Sequence, residues 1–291
     1  MTNAQRLFVK ITRESLPQVK DKYPFIYLEH GRLEVDDSSV KWIDSEGNVV
    51  AIPVATLNSI LLGPGTSLTH AAVKTAVTAN CCIFWVGEDS LLFYAAGCSP
   101  TSDTRNLRRQ VQLSENSKLA LDVAREMFSR RFPNASLEGK TLKKMMGMEG
   151  HRMRLMYAEK AEYYKVGWKG REYTPGHFEL SDITNRVLTA ANAALYGIIC
   201  SVIHSMGYSP HIGFIHSGSP LPFVYDLADL YKEELCVDLA FALTLEMAGR
   251  YDRKLVAIKF RQRVIEYDLL AKLAKDISIL MRRDNGSSNW Q

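Results

Sequence analysis

The strongest constraint on the fold is a change of hydrophobic period near residue 100. Before it, β-branched and aromatic residues come in short runs broken by turn residues: FIYLEHGRLEVDD from Phe25, VKWIDSEGNVVAIP from Val40 and CCIFWVGEDSLLFYAAG from Cys81. Such runs read as strands, with SEGN (Ser45–Asn48) as a hairpin turn. One interruption, SLTHAAVKTAVTAN, has helical spacing, with Ser67 or Thr69 as its N-cap. After residue 104 apolar residues recur every three to four positions. They do so in SENSKLALDVAREMFSRRF, GKTLKKMM, EGHRMRLMYAEKAEYYKVGW, LSDITNRVLTAANAALYGIICSVIHSMG, VYDLADLYKEEL, VDLAFALTLEM and RQRVIEYDLLAKLAKDISILMRR. GCSPTSDT (Gly97–Thr104) is small and polar and reads as a linker. The pattern predicts an α+β protein. A small β-rich N-terminal domain with one helix spans 1–96, a linker 97–104, and a larger all-α domain 105–291.

The chain has 291 residues, enough for two domains with a core. Its 46% hydrophobic and 23% charged content is ordinary for a globular protein. No uninterrupted apolar run reaches the ~20 residues of a membrane span, and the charged N-terminus reads as no secretory signal. Five cysteines (Cys81, Cys82, Cys98, Cys200, Cys236), odd in number and without a CxxC pair, point to a reducing cytoplasm and to small buried hydrophobes rather than disulfides.

Charge is unevenly spread. Net charges are −2 over residues 1–100, +8 over 101–171, −7 over 172–249 and +5 over 250–291. Two basic segments flanking an acidic one fit a polyanion partner with metal-binding carboxylates nearby. The sequence has no GxxxxGK[ST], no GxSxG and no HExxH, which excludes the P-loop, the nucleophile elbow and the zincin helix. GPGTS (Gly63–Ser67) reads as a turn.

GFIHSGSPLPFVYDLADLY (Gly213–Tyr231) lies in the acidic segment. A helix starting near Pro222 places Asp226 and Asp229 one turn apart on one face. The alternative is a solvated acidic face, with Asp226 favoured by the helix N-terminus. Asp is a poor interior helix residue, and its short side chain suits a metal ligand. SGSPLP can fold His216 back toward the aspartates; the alternative is a satisfied core histidine. A third element, MMGMEGHRMRLMY (Met145–Tyr157), places Glu149 between Gly147 and Gly150 and among Lys143, Lys144, Arg152 and Arg154. Two glycines so close imply a helix start or a close backbone approach. A carboxylate among cations fits phosphodiester chemistry; the alternative is a surface glutamate with helical ion-pair partners.

GMEGHRMRLMY followed some sixty residues later by GFIHSGSPLPFVYDLADLYK resembles the CRISPR-associated adaptation integrase family. YLEHGRLEVDD, ILLGPGTSLTHAAV and FWVGEDSLLFYAAG resemble its type I-E subtype. The likeness runs from about Phe25 to Arg283. It implies metal ligands at Glu149, His216 and Asp229, with Asp226 a further active-site acid. It also implies a metal-dependent DNA endonuclease and integrase that joins captured foreign DNA to a CRISPR repeat. Relatives form homodimers, two of which flank a dimer of a small companion adaptation protein; the β domain contributes to the dimer and to a DNA-end contact. Mixed carboxylate and imidazole ligands suit Mg²⁺ or Mn²⁺, the latter taking imidazole more readily. Asp226 either orients His216 or serves a second ion.

The chain departs from the subtype at Leu92, where an arginine is usual, and at His30, where some relatives place a DNA-stacking tyrosine. Charge makes Lys74, Arg105, Arg108, Arg109, Arg152 and Arg154 candidate phosphate contacts on double-stranded DNA. Two other readings share these residues: a structure-specific repair nuclease using water, and a non-catalytic DNA-binding scaffold, which has no use for the three ligands together.

Overall fold

The SEGN turn forms as the sequence expects. The computed structural model describes residues 17–36, 39–87, 93–97, 104–172 and 180–282, and in it β3 (Ser39–Asp44) and β4 (Val49–Ile52) pair antiparallel across that turn. The Asp44 carboxylate accepts the Glu46 and Asn48 N–H groups at 2.9 and 2.8 Å, and Gly47 takes the positive φ of 87° that the tight reversal requires. β2 (Gly31–Asp36) and β6 (Thr66–Leu68) complete a four-stranded sheet in the order β4-β3-β2-β6. A second sheet has the order β1-β5-β7-β8, from β1 (Tyr23–Leu28), β5 (Leu57–Leu62), β7 (Cys82–Val86) and β8 (Phe93–Gly97). Its first three strands are parallel. The helix α1 (His70–Thr78) precedes β7, with Thr69 rather than Ser67 as its cap: the Thr69 hydroxyl accepts the Ala72 N–H at 3.2 Å.

All six residues of β5 are buried, as expected of a parallel strand covered on both faces. The two-residue period then divides the interior. Leu61, Cys82, Phe84 and Phe25 face the helical body, while Ile60, Leu62, Cys81 and Ile83 face α1 and the other sheet. One sheet is therefore a wall shared by two cores, and Asn58 reaches across it to hydrogen-bond Ser201. Residues 98–103 of the expected linker, Cys98 and Leu92 lie outside the described residues.

The helical body holds α2 (Arg105–Glu115), α3 (Ser117–Arg131), α4 (Leu142–Tyr164), α5 (Ile183–Ser205), α6 (Pro222–Ala228), α7 (Asp238–Glu246), α8 (Arg253–Glu266) and α9 (Leu269–Met281). The protein is thus α+β, a β-rich part followed by a helical one. α5 packs against α6, α7, α8, α9 and the shared sheet. Its length and mean hydropathy of 1.6 are those of a membrane-crossing helix, although polar residues interrupt its apolar run, and 72% of that stretch is buried inside the protein. Cys81, Cys82, Cys200 and Cys236 are buried thiols, none of them in a disulfide among the described residues.

Five helical segments differ from their expected bounds. Asn116 (ψ 107°) leaves the helix and its side chain accepts the Lys118 and Leu119 N–H groups, so it ends α2 and starts α3. Asp268, at φ 53°, separates α8 from α9. GKTLKKMM and EGHRMRLMYAEKAEYY merge into the 23-residue α4, capped by Thr141. Gly147 and Gly150 are inside it, and a Cβ at Gly147 would meet nothing within 4 Å. These glycines mark neither a helix start nor a close approach. VYDLADLYKEEL breaks after α6 and continues as a π-helical segment, Glu233–Val237, into α7.

Candidate active site

The loop 213–217 and α6 form one locally built unit. Asp226 has no exposed surface. Its Oδ2 accepts the Phe214 and Ile215 N–H groups at 2.6 and 3.1 Å, and its Oδ1 accepts the His216 N–H at 3.0 Å and faces His216 Nδ1 at 2.8 Å. Three donated backbone hydrogens make this carboxylate a scaffold for the loop, which sets aside the alternative of a solvated face. Gly213 permits it: a Cβ there would lie 2.7 Å from Pro222 Cβ and 2.9 Å from Asp226 Oδ2. Pro222 opens α6 at a position that needs no N–H.

With Nδ1 engaged by Asp226, the other imidazole nitrogen is directed away from that carboxylate. His216 Nε2 lies 3.6 Å from Asp229 Oδ2. α6 ends at Ala228, so Asp229 caps it and turns toward helices that are distant in sequence. Lys232 Nζ donates to Asp229 Oδ1 at 2.7 Å, and Arg131 Nη1, from the last turn of α3, lies 3.4 Å from Asp229 Oδ2 and 3.5 Å from Glu149 Oε1. Glu149 and Asp229 therefore approach within the sum of those two distances. Burial opposes the charge on Asp229, but Lys232 and Arg131 outweigh it and hold the carboxyl below its ordinary pKa. Burial likewise opposes the charge on Lys232, and Asp229 restores it, raising the ammonium above its usual range.

A cavity of about 310 Å³ opens beside these groups, lined among others by Glu149, Arg152, Arg171, Asn192, Asp229 and Lys232. Arg152 lies 3.4 Å from Glu149 and donates at 2.6 Å to Glu233 of the π-helical segment. The buried Asn192 Oδ1 has no hydrogen-bond partner among the described residues. Cations and an amide around two carboxylates can hold a phosphodiester while anionic ligands neutralise an ion.

The fold brings together Glu149, His216, Asp226, Asp229 and Arg152. It disperses the other candidates. His30 is exposed at the β1–β2 turn with φ 54°, Lys74 is exposed on α1, and Arg105 and Arg108 are exposed on α2. Arg109 Nε donates to the Met281 carbonyl at 3.1 Å, and Arg154 is exposed on α4. Reading the sequence missed Arg131, Lys232, Arg171, Asn192 and Glu233. Arg131 did carry a signal: α3 buries Val123, Ala124, Met127 and Phe128, and one further step along that stripe lands on Arg131 rather than on Arg130.

The donor set is that of a hard divalent cation: two carboxylates and an imidazole whose other nitrogen faces a carboxylate, the usual support for a metal-bound histidine. Among the described residues no three His, Cys, Asp or Glu side chains stand in coordinating geometry; Arg131 and Lys232 engage the carboxylates instead. Together the fold and site define a class, a β-then-α protein with a carboxylate–imidazole cluster in a basic pocket. The chain belongs to the family described as CRISPR associated protein Cas1, which it matches over residues 25–137 and 131–250.

It is 63% identical over 286 residues to the CRISPR-associated endonuclease Cas1 2 of Chlorobaculum tepidum, covering 98% of this chain and 97% of that one. The crystal structure of a TtCas1–DNA complex aligns over 92% of this chain and 99% of its own, with 37% identity and a TM-score of 0.68. A CAS1 protein from Thermotoga maritima, 15% identical, has the same fold with a TM-score of 0.73 over 89% of this chain and 96% of its own.

Proposed function

We propose that this chain is a metal-dependent DNA integrase and endonuclease of CRISPR adaptation, of the type I-E-like subtype. The observation that carries the reading is the convergence of Glu149, His216 and Asp229 beside a basic pocket. Relatives named CRISPR-associated endonuclease and a relative solved with DNA support it. Glu149, Asp229 and His216 Nε2 would hold Mg²⁺ or Mn²⁺, which supplies positive charge to the phosphoryl oxygens and lowers the cost of ionising a hydroxyl. Asp226 acts through His216 as its positioning residue, and Arg152, Arg171 and Lys232 offer donors to the phosphate.

In the reaction, a captured fragment's 3′-hydroxyl gives up its proton and bonds to a phosphorus of the repeat. The bond from that phosphorus to the repeat strand's own 3′-oxygen breaks, and that oxygen takes up a proton. Joining two fragment ends requires two separated sites. The reading therefore includes a homodimer and a larger cytoplasmic complex with the small companion adaptation protein. The 1–96 and 105–291 portions would serve as dimer-forming and catalytic parts.

The test supplies metal, companion, repeat DNA and a fragment. Branched fragment–repeat products are expected with free 3′-hydroxyl ends and none with dideoxy ends. Shortened strands indifferent to the dideoxy ends would make water the nucleophile and favour a repair nuclease; binding without any product would favour a scaffold.

A further inference from the structure

Arg131 is a charge in a place built for an apolar residue. Its side chain is 4% exposed, it continues the buried stripe of α3, and its guanidinium carbon lies 4.4 Å from the centroid of the Phe128 ring. Nη1 serves Glu149 and Asp229, while Nε and Nη2 are buried and have no hydrogen-bond partner among the described residues. Two idle buried donors are costly, so packing alone does not select arginine here. Arg130 makes the ordinary choice one position earlier, pairing with Glu126 and Asp276 at the surface.

The neighbouring cations leave a gap in the charge balance. Lys232 is engaged by Asp229, and Arg152 is divided between Glu149 and Glu233. Among the described ion pairs, Arg131 alone joins Glu149 to Asp229. Beside the carboxylates, the Phe128 ring faces the guanidinium, and that ring still favours a guanidinium when the carboxylates turn elsewhere.

We propose that Arg131 is a positioning residue, the internal counter-cation of the Glu149–Asp229 pair. It holds the two carboxylates together in the absence of a divalent ion and competes with that ion for them. The competition rests on reading these carboxylates as metal ligands; the charge balance does not.

The test uses the full chain in two conditions. In EDTA, Arg131→Gln should lower the urea midpoint by roughly 1 M or more, because it removes the cation that joins the two facing carboxylates and leaves each with one partner shared or flanking. The same substitution in a Glu149→Gln, Asp229→Asn background should cost much less, and Arg131→Lys should restore most of the loss. Equal losses in both backgrounds would make Arg131 a packing residue on Phe128 and overturn the proposal. If Arg131→Gln alone does not fold, the triple variant must fold; a triple variant that is also unfolded overturns it equally.

With Mn²⁺ as the probe in calorimetry, Arg131→Gln should bind roughly tenfold tighter than the wild type, since a competing cation is gone. Equal or weaker affinity overturns the competition and leaves the metal reading standing. No Mn²⁺ binding by either protein overturns both.

Discussion

The two halves of the site are built in different ways. One half, residues 213–232, is a loop, a short helix and a turn whose hydrogen bonds close within 12 residues: Asp226 to residues 214–216, Lys232 to Asp229. The other half is Glu149 on α4 and Arg131 on α3, which meet Asp229 from 80 to 98 positions away in the chain and only through tertiary packing. The first half is a local structure that the core then carries. The second exists only because α3, α4 and the π-helical segment are held at a common point, with Arg152 bridging α4 to Glu233. A site assembled this way is locally rigid on one side and depends on helix placement on the other.

The largest expected effect tests whether both halves serve one site. Glu149→Gln and Asp229→Asn should each lower strand transfer by at least about 100-fold, with duplex binding retained in a filter or fluorescence assay. A Glu149→Gln protein with near-normal activity would detach the distant half from the chemistry.

Next comes Asp226→Ala, which strands three backbone N–H groups, two of them in buried hydrogen bonds. It should cost about 3 kcal/mol or more in urea unfolding and abolish transfer, while Asp226→Asn, which keeps an acceptor, should cost less. If the alanine variant lost activity with unchanged stability, the loop would not depend on this carboxylate.

Gly213→Ala challenges the same half more gently. The added methyl would sit against Pro222 and Asp226, and overpacking of this kind costs about 1–3 kcal/mol. Gly147→Ala should do the reverse in the distant half. Its Cβ meets open space inside a helix, so stability should rise by about 0.5–1 kcal/mol. A loss there would restore the close approach that the glycine spacing implied.

The smallest effect concerns the clamp that places α4. Asp238, at the start of α7, accepts hydrogen bonds from Lys160 and Tyr164 of α4, at 2.7 and 3.0 Å, and from Arg263 of α8 at 3.0 Å. Burial pushes its carboxyl pKa upward, but the Lys160 and Tyr164 hydrogen bonds and the cations outweigh it and hold the value below the ordinary one. A depressed folded pKa contributes stability above the unfolded value of about 3.9 and loses it as pH falls through the folded value. Asp238→Asn should therefore flatten the fall in Tm below about pH 4 and lower Tm slightly at neutral pH; an unchanged acid limb would remove Asp238 from the clamp.

The comparison also explains what could be read in advance. The SEGN turn, the Thr69 cap, the start of a helix at Pro222 and the grouping of His216 with Asp226 and Asp229 all follow from residues that satisfy one another nearby. Errors arose where a neighbour could not be seen. Asn116 and Asp268 break helices whose apolar period continues through them, because a side-chain cap or a left-handed φ costs the pattern nothing. Gly147 and Gly150 resembled a helix start, yet α4 runs on because its Met145 and Met156 are buried against the body.

The sequence by itself therefore determined the α+β order and the local half of the site, since these rest on periodicity, caps and hydrogen bonds that close within about a dozen residues; the three candidate ligands were implied by the family resemblance. Only the tertiary structure decided that the β1-β5-β7-β8 sheet would be a wall between two cores. It alone decided that Arg131 instead of Arg130 would turn inward, and that Glu149 would meet Asp229 across that guanidinium. Those outcomes depend on how helices pack around α5, and packing sums many weak contacts between residues that no short stretch of sequence contains together.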